Sequence, residues 1–444
     1  MKQPWPSLCA LIGIVLPQRA AAFRTPMQLS RLQHSHPSQS LSTHSRRQHR
    51  RQSATRQGVS MQLVETAPPS AEVLPMKTAF SNVPPSVEKK IGRNLHNQKN
   101  HPLEILKRHI YDYFLALDGY NFSSHDSLSP AVSLEDNFDK LLIPQDHPAR
   151  GKTDTYYVNE GTVLRTHTSA HQNELLAQGH RCFLVTGDVY RKDEIDRSHY
   201  PVFHQMEGLC IVDDGVDPKD DLMRVIGGLI EHLFPGCEWR LNADYFPFTD
   251  PSFEIEVRYQ DKWLEILGMG VVQPKILENN GFSGERGWAF GVGLERLAML
   301  FFDINDIRVF WSEDPKFLSQ FESGEFVKFK EFSNVDPVEK DISFWLDSDE
   351  VAEGEDGDDD WTWTDANSFY ELIRENSEDL IEESILVDRF FHPKKKRFSH
   401  TYRLRFSPAA TVKDPAEFTS AANEKMEMIR SLVAENLRIE LREK

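Results

Sequence analysis

Acidic residues are absent from the first 64 positions of this 444-residue chain. The same segment contains nine Lys and Arg residues, so the remaining chain carries a formal net charge of −27, which is −18 minus 9. A body this acidic does not suit nonspecific nucleic-acid binding. Any contact with nucleic acid therefore needs a local basic patch.

Cysteine is also scarce. Cys9, Cys182, Cys210 and Cys237 are widely spaced and form no C-x-x-C pair. This spacing argues against a disulfide framework and against a zinc site, and we expect reduced interior thiols.

The N-terminal region has the composition of a targeting sequence. The apolar run at 7–16 is too short to span a bilayer as a helix, and the small residues that follow suit cleavage, so 1–22 resembles a signal peptide. Residues 23–64 are rich in Arg, Ser, His and Gln, like an organellar transit peptide. This order is similar to the two-part import signals of secondary plastids and favours the plastid stroma. The alternatives are a mitochondrial presequence, leading to the matrix, or dual targeting. The Pro-containing segment 65–90 reads as a linker.

Hydrophobic periodicity predicts two folded regions of class α+β. The stretch 101–114 has apolar residues at the spacing of one helical face, and helical spacing returns at 294–301 after a series of short strand-like runs. Mostly strands with flanking helices predict an antiparallel α+β domain over 91–325.

The C-terminal region, 326–444, shows the order strand, helix, strand, strand, helix, strand, which is the ferredoxin-like arrangement. Its acidic segment 347–360 is expected to be an exposed loop that points away from RNA. A basic hairpin between the middle strands predicts RNA contact, with a solvated turn as the alternative; its cationic residues are Lys394, Lys395, Lys396 and Arg397.

Two stretches carry groups suited to anions and to an ammonium group. The segment 166–172, "THTSAHQ", opens a helix whose free N–H groups and hydroxyls suit an anion or a carboxylate, unless it is only an N-cap. Arg191 lies where a strand meets a charged bend and can hold a phosphate bidentately. On the returning strand, Gln205 and Glu207 share one face and can bind an ammonium group.

A third stretch, "GWAFGVGLERLAML" at 287–300, combines glycines that allow close approach to a ligand with Arg296, which lies off the buried stripe. No G-K-[ST] follows, which excludes a P-loop. Phe246 and Phe248 are expected to share a strand face and to present two rings for edge-to-face contact with a third, unless they are core residues.

Together these stretches resemble the class II aminoacyl-tRNA synthetases, and closely the single-chain organellar phenylalanyl-tRNA synthetases. Residues 187–208 are similar to the second class II motif of that family and 287–299 to its third. The segments 166–172 and 246–254 look like its phenylalanine-site segments, and the C-terminal region looks like its anticodon-binding domain. The resemblance covers about 95–444.

The resemblance implies a role for each matching residue. It places the ATP phosphates at Arg191, Arg296 and His199, and adenine on Phe203. It assigns the charged end of phenylalanine to His167, Ser169, Gln172, Gln205 and Glu207. It assigns the ring and the pocket floor to Phe246, Phe248, Ala289 and Gly291.

The implied activity is ATP-dependent conversion of L-phenylalanine to phenylalanyl-adenylate, followed by transfer to the terminal adenosine of tRNA(Phe). ATP acts as substrate with Mg²⁺, no prosthetic group is expected, and the chain is expected to be a monomer with no membrane partner after import. The alternatives are an inactive tRNA-binding relative, a ligase for another amino acid, and a purely structural protein. Arg191, Glu207 and Arg296 argue against the inactive relative, because a binding module needs no γ-phosphate contact.

Overall fold

The computed structural model describes residues 75, 77–259, 261–331, 335–347, 350–353, 361–407, 414–437 and 439–442, and all of them belong to one compact unit. The predicted targeting segments 1–22 and 23–64 lie outside the described residues, and so do most of the linker before residue 77 and residues 354–360 of the acidic segment. Within the described part of the chain, no helix has the length and apolar character needed to cross a membrane.

The first region contains one large mixed sheet and one small sheet. Its strands are β1 Ser123–His125, β2 Ala131–Ser133, β3 Tyr157–Asn159, β4 Thr162–Leu164, β5 Cys182–Tyr190, β6 Val202–Ile211, β7 Trp239–Phe246, β8 Thr249–Tyr259, β9 Lys262–Val272 and β10 Gly287–Gly293. The large sheet has the order β1-β5-β6-β10-β9-β8-β7, and a small sheet has the order β2-β4-β3. Only the β1–β5 pairing in the large sheet is parallel among the described strands. An antiparallel-dominated α+β fold is therefore confirmed.

Helices flank this sheet. They are α1 Pro85–Glu88, α2 Pro102–Leu115, α3 Leu134–Asn137, α4 Gln172–Ala177, α5 Pro218–Leu233, α6 Pro274–Asn279, α7 Leu294–Phe302 and α8 Pro315–Leu318. Short 3₁₀ turns occur at Leu95–Asn97, Asp139–Leu141, Pro148–Arg150, Thr168–His171, Ile307–Trp311 and Ser319–Phe321.

Helix α2 shows why the periodicity was informative. Its four predicted apolar positions are all buried in the main core: Leu103, Leu106, Ile110 and Phe114. The helix begins after His101, whose side chain accepts a hydrogen bond from the backbone N–H of Leu103 at 3.2 Å, and proline occupies its first position. In α7 the predicted apolar stripe ends at Phe301, but that side chain is only half-buried at the edge of the core. The fully buried residue at this end of the helix is Phe302.

The cysteine expectation was wrong for one pair. Cys182 and Cys210 lie directly opposite each other on β5 and β6 and are joined by a disulfide. The hairpin register places the two side by side although 28 positions separate them in the sequence, so their spacing alone gave no sign of the contact.

The C-terminal region contains β11 Val338–Leu346, β12 Val351–Glu353, β13 Trp361–Trp363, α9 Ala366–Ser377, β14 Ile381–His392, β15 Arg397–Phe406, α10 Pro415–Asn436 and β16 Glu440–Leu441. Its main sheet has the order β14-β15-β11-β16, with every pairing antiparallel. The βαββαβ ferredoxin-like arrangement is confirmed. The short β12–β13 ladder is an insertion, and β12 lies inside the acidic segment. Val351 is buried in the C-terminal core, so the expectation that all of 347–360 is an exposed loop was wrong for 351–353.

Candidate active site

The charged bend links β5 to β6. We call residues 191–201 the bend loop. Arg191 begins it: its backbone N–H donates to Pro201 O at 3.0 Å, and its Nε donates to Thr166 O at 2.7 Å. The Nε bond holds the guanidinium beside the 166–172 segment, and the backbone bond holds the start of the loop. The role of Arg191 in holding an anion stays a prediction.

Two residues predicted to act with Arg191 lie near it. The Phe203 ring centroid is 5.3 Å from the Arg191 guanidinium carbon. Arg296, in the first turn of α7, is 56% exposed and its Nη1 lies 3.6 Å from Glu265 Oε2. Burial lowers the pKa of Arg191, Asp193 acts to raise it and the positive charge of Arg296 acts to lower it further, so the two guanidinium groups are close enough to interact. Two neighbouring positive charges suit a polyanion.

His199 is held by Asp196 within the bend loop. Its Nδ1 lies 2.7 Å from Asp196 Oδ2, and this bond raises the pKa of His199 although partial burial opposes the rise. Burial tends to raise the pKa of Asp196, but hydrogen bonds from His199 and Ser198 lower it to about 2. The raised pKa favours the protonated form of His199, which is the form that suits a phosphate ligand.

Glu207 is the buried carboxyl of the site. It accepts hydrogen bonds from Ser169 Oγ and Gln172 Nε2, and from Thr168 Oγ1 at 3.4 Å. Burial raises the pKa of Glu207 to about 8, even though the bonds from Ser169 and Thr168 act to lower it. A cationic partner would stabilise the ionised form of this buried carboxyl, because it supplies the opposite charge that burial has removed from reach of water.

His167 lies directly before Thr168 and Ser169, which bond to Glu207. Both of its ring nitrogens are buried, and neither has a hydrogen-bond partner among the described residues. Burial, with Arg191 nearby, lowers the pKa of His167 to about 3, so its ring is neutral. Buried polar atoms normally find partners, so this orphaned ring points to a ligand that completes it.

The floor of the site is made of small residues. Gly291 lies opposite Glu207 on β10, and Gly293 lies opposite Gln205. A Cβ added at either glycine would meet no atom within 4 Å, so open space lies above them. Ala289, one row away, is buried in an apolar cluster that Phe248 borders.

The two predicted phenylalanine-contacting rings lie at the end of this floor. Phe246 ends β7, and a Cβ on Gly268 would lie 2.7 Å from its ring. Phe248 is in the two-residue turn before β8, so the expectation that both share a strand face was wrong; a tight turn was not distinguishable from a strand end in the sequence. The two rings are nonetheless neighbours and nearly parallel, with their centroids 5.9 Å apart. The centroid of the His167 ring lies 6.3 Å from that of Phe248.

Comparison with known proteins decides the family. The family model "tRNA synthetases class II core domain (F)" matches residues 86–321. The "Phenylalanine--tRNA ligase, chloroplastic/mitochondrial" of Arabidopsis thaliana is 46% identical over 373 residues, covering 82% of this chain and 83% of that protein. The chain belongs to the phenylalanine–tRNA ligase family of class II aminoacyl-tRNA synthetases.

Other members of the family are also similar to this ligase over most of its length. The "Phenylalanine--tRNA ligase, mitochondrial" of Mus musculus is 43% identical over 368 residues, covering 73% of this chain and 79% of that protein. The protein of the same name in Saccharomyces cerevisiae is 34% identical over 446 residues, with 82% and 92% covered. The similarity extends beyond the class II core domain, and these relatives are named as chloroplastic or mitochondrial proteins.

Sequence reasoning missed a buried ion pair behind the site of the ligase. Arg165 donates from Nη2 to Asp188 Oδ1 at 2.7 Å and from Nε to Asp188 O at 2.7 Å, and both side chains are buried. Tyr190 donates to the other carboxylate oxygen. Gly187 is required here, because a Cβ at that position would overlap the guanidinium. The pair holds β5 to the start of the segment that is predicted to contact the amino acid.

Asn137 supports the same segment from the other side. Its Nδ2 donates to Thr166 Oγ1 at 3.0 Å, and its Oδ1 accepts the Thr166 backbone N–H at 3.1 Å. Asn137 is fully buried. Asn137 is the last residue of the short helix α3, and no local pattern in the sequence links it to residue 166.

Replacing Asp188 with alanine is expected to lower the free energy of unfolding by about 3–5 kcal/mol, because the Arg165 charge would stay buried without its partner. Denaturant unfolding measures this change. Replacing Glu285, which pairs with Arg181 near the surface, is the matched control and is expected to cost less than about 1 kcal/mol. Equal losses for the two variants would contradict the structural role of the buried pair.

The described His, Cys, Asp and Glu side chains are the possible ligands for a metal ion. Among them, no three His, Cys, Asp or Glu residues are grouped so as to hold a metal ion together. Class II synthetases use ATP, so the chemistry of Mg²⁺ concerns the ion that accompanies this substrate.

Proposed function

We propose that the chain is an organellar phenylalanine–tRNA ligase, which activates L-phenylalanine with ATP and transfers it to the terminal adenosine of tRNA(Phe). The observation that carries the proposal is the buried Glu207, held by Ser169 and Gln172 beside the open floor at Gly291. A carboxyl over a glycine floor, closed at one end by two phenylalanine rings, suits an aromatic amino acid bound by its ammonium group.

The residues of the site fit the chemistry of activation. The phenylalanine carboxylate attacks the α-phosphorus of ATP and diphosphate leaves, so negative charge spreads over phosphoryl oxygens in the transition state. We assign Arg191 to the α-phosphate, Arg296 to the γ-phosphate end and His199 to the phosphates between them. Phe203 stacks on adenine. Mg²⁺ accompanies ATP and supplies further charge neutralisation when bound, and no side chain acts as a covalent nucleophile.

The amino-acid assignments follow the same geometry. Glu207 and Gln205 receive the ammonium group, while His167, Ser169 and Gln172 complete the polar end. The ring lies over Gly291 between Ala289 and the pair Phe246 and Phe248. The direct hydrogen bonds of Ser169 and Gln172 to Glu207 support this grouping.

Replacing Ala289 with glycine is expected to admit para-substituted phenylalanines, because the buried methyl group borders the space beyond the ring. The measurement is kcat/KM for para-chlorophenylalanine in ATP–pyrophosphate exchange, with a rise on the order of 10-fold or more expected from one added methylene-sized space. The kcat/KM for phenylalanine serves as the internal control. Unchanged kinetics for the analogue would remove Ala289 from the pocket.

We assign the basic hairpin to tRNA. It joins β14 to β15, and Lys395 Nζ lies 4.3 Å from the Trp345 ring centroid. Arg397 already pairs with Asp347 at 2.7 Å and with Glu440 at 2.6 Å, so the lysines are the stronger candidates for phosphate contact. No acidic residue lies in the hairpin turn itself.

Replacing Lys394, Lys395 and Lys396 together with glutamine is expected to raise KM for tRNA on the order of 10-fold and to flatten its salt dependence, because fewer counterions are released. Aminoacylation at several salt concentrations measures this. Amino-acid activation without tRNA should not change. An equal loss in both assays would contradict the assignment.

The direct test is amino-acid-dependent ATP–pyrophosphate exchange by the chain lacking residues 1–64, with phenylalanine, with tyrosine and with no amino acid. Exchange that strongly favours phenylalanine is the expected result. A folded, ATP-binding protein with no exchange would instead support an inactive tRNA-binding relative.

The proposal includes the division of the chain and its location. We assign 91–325 to catalysis, 326–444 to anticodon binding, and the first 64 residues to import into the plastid stroma, with the mitochondrial matrix as the alternative. The chain acts as a monomer on tRNA(Phe), ATP and L-phenylalanine. Import assays with residues 1–64 fused to a fluorescent protein separate the two organelles.

A further inference from the structure

The tip of the bend loop is held by the C-terminal region. Arg374, on α9, donates from Nη2 to Asp193 O at 2.9 Å and to Glu194 O at 3.0 Å. Arg374 is only 6% exposed, and Glu371 lies 3.9 Å from its other terminal nitrogen. Bonds from a buried charged donor to two successive carbonyls hold the backbone in one conformation.

The next loop residue is part of the C-terminal core. Ile195 is buried among the apolar side chains of that region and, among the described members of the cluster, is the only one that comes from outside residues 335–441. Its carbonyl accepts the backbone N–H of Ser384 at 2.8 Å, a strand-like contact with β14. A loop expected to bind ATP therefore inserts its apolar residue into a different domain.

Two further side chains extend the contact along the loop. Arg197 forms an ion pair with the buried Glu382, and Tyr200 donates to Asp379 Oδ1 at 2.9 Å. Arg308, from the catalytic region, donates to Asp379 O at 2.6 Å. The loop is thus held at its tip, its middle and its return.

The residues assigned to ATP lie at the ends of the loop and within it. Arg191 is the first residue of the loop, Phe203 follows shortly after its end, and His199 lies between Arg197 and Tyr200 in the sequence. An eleven-residue loop loses conformational entropy when it closes on a ligand, and prior immobilisation reduces that loss. The distances between the ATP-binding groups therefore depend on contacts made outside the catalytic region.

We propose that the C-terminal domain positions the bend loop for ATP binding, with Arg374 as its principal positioning residue. The inference rests on the proposed function, since it takes the loop to be the ATP site. It adds that a domain assigned to tRNA also supports amino-acid activation, a step that needs no tRNA. Arg374 acts through the backbone of Asp193 and Glu194 and contacts no substrate itself.

The test compares Arg374→Ala with Arg430→Ala in the full-length chain. Arg430, on α10 of the same domain, also donates to a backbone carbonyl, Asp341 O at 3.1 Å, but it is 41% exposed and lies outside these loop contacts. The readouts are ATP affinity by calorimetry without amino acid, KM and kcat in pyrophosphate exchange, and hydrogen exchange of peptides covering 191–201.

We expect Arg374→Ala to weaken ATP binding and to raise KM for ATP about 10-fold, because bonds from a charged donor to the loop are lost. The KM for phenylalanine should change less than twofold, and amide exchange in the bend loop should accelerate. Arg374→Lys, which can restore one of the bonds, should recover part of the ATP affinity. Arg430→Ala should leave ATP binding and loop exchange unchanged.

ATP affinity within twofold of the parent chain, with loop exchange unchanged, would overturn the proposal. A parallel loss of ATP and phenylalanine binding with early melting would also overturn it, since that is general destabilisation. If Arg374→Ala does not fold, Glu382→Gln and Ile195→Ala test the same contacts and are read by the same criteria. Calorimetric binding of ATP separates failure of this inference from failure of the proposed function, which requires phenylalanine-dependent exchange.

Discussion

Replacing Arg191 with alanine is expected to lower kcat for phenylalanine-dependent pyrophosphate exchange by about three orders of magnitude, the scale at which a single arginine stabilises a phosphoryl-transfer transition state. Arg191 is suited to that role because its Nε is already bonded to Thr166 O, which leaves its terminal nitrogens for the substrate. The loss should appear mainly in kcat, since negative charge on the phosphoryl oxygens develops most in the transition state.

Lysine at position 191 separates geometry from charge. It retains the positive charge but cannot make two parallel bonds, so most of the loss should remain. Arg181→Ala, at the other end of β5, removes an exposed arginine that pairs with Glu285 and is expected to leave kcat unchanged. An Arg191→Ala variant that keeps more than a tenth of the parent kcat would move the α-phosphate contact to another residue.

The fold was predictable where the pattern is local. The buried face of α2 follows from residue spacing alone, and the ferredoxin-like order follows from alternating strand and helix patterns in 338–441. The residues brought to one face of the catalytic sheet were also predictable, because Gln205 and Glu207 are two positions apart on one strand.

What the sequence concealed depends on register and on contacts between distant segments. Arg165 and Asp188 pair across 23 positions, and nothing near either residue marks the other as its partner. Cys182 meets Cys210 only because the β5–β6 hairpin aligns them. The insertion of Ile195 into the C-terminal core was equally hidden, since an isolated apolar residue in a charged loop has no periodicity to interpret.

The residue assignments of the site have different degrees of structural support. Ser169 and Gln172 bond directly to Glu207, which joins two sequence segments that had been grouped only by family resemblance. The rings of Phe246 and Phe248 lie close together, although Phe248 lies in a turn. Arg296 is exposed and bound to Glu265, so its phosphate contact requires it to exchange that partner for a substrate oxygen.

Affinity for phenylalanine is expected to rise with pH, on the order of 10-fold for each unit between pH 6 and about 8, because binding of an ammonium group requires the ionised form of Glu207. Burial raises the pKa of Glu207 to about 8 in the unliganded protein, so the carboxyl is protonated through most of this range. Binding must then release a proton, and isothermal calorimetry in buffers of different ionisation enthalpy measures that release.

The raised pKa of Glu207 also makes the stability of the unliganded protein depend on pH. Affinity for phenylalanine is expected to rise with pH, whereas this stability falls. The unfolded chain releases this proton near the ordinary pKa of 4.5, whereas the folded chain holds it until about pH 8. The contribution of Glu207 to stability is therefore present below about pH 4.5 and is lost as the pH rises through 8. Glu207→Gln should remove this loss, and denaturant unfolding at pH 6 and pH 9 measures the difference.

The Glu207→Gln variant also isolates the ammonium contact. Its affinity for phenylalanine at pH 8 should fall on the order of 10²-fold, as expected when one partner of a buried charged pair is removed, and its affinity should no longer depend on pH between 6 and 8. The ligand 3-phenylpropionate, which lacks the ammonium group, should bind the parent chain without this pH dependence. A pH profile shared by phenylalanine and 3-phenylpropionate would instead locate the titrating group elsewhere. In that case His199, whose pKa is raised by its hydrogen bond with Asp196, would become the first alternative.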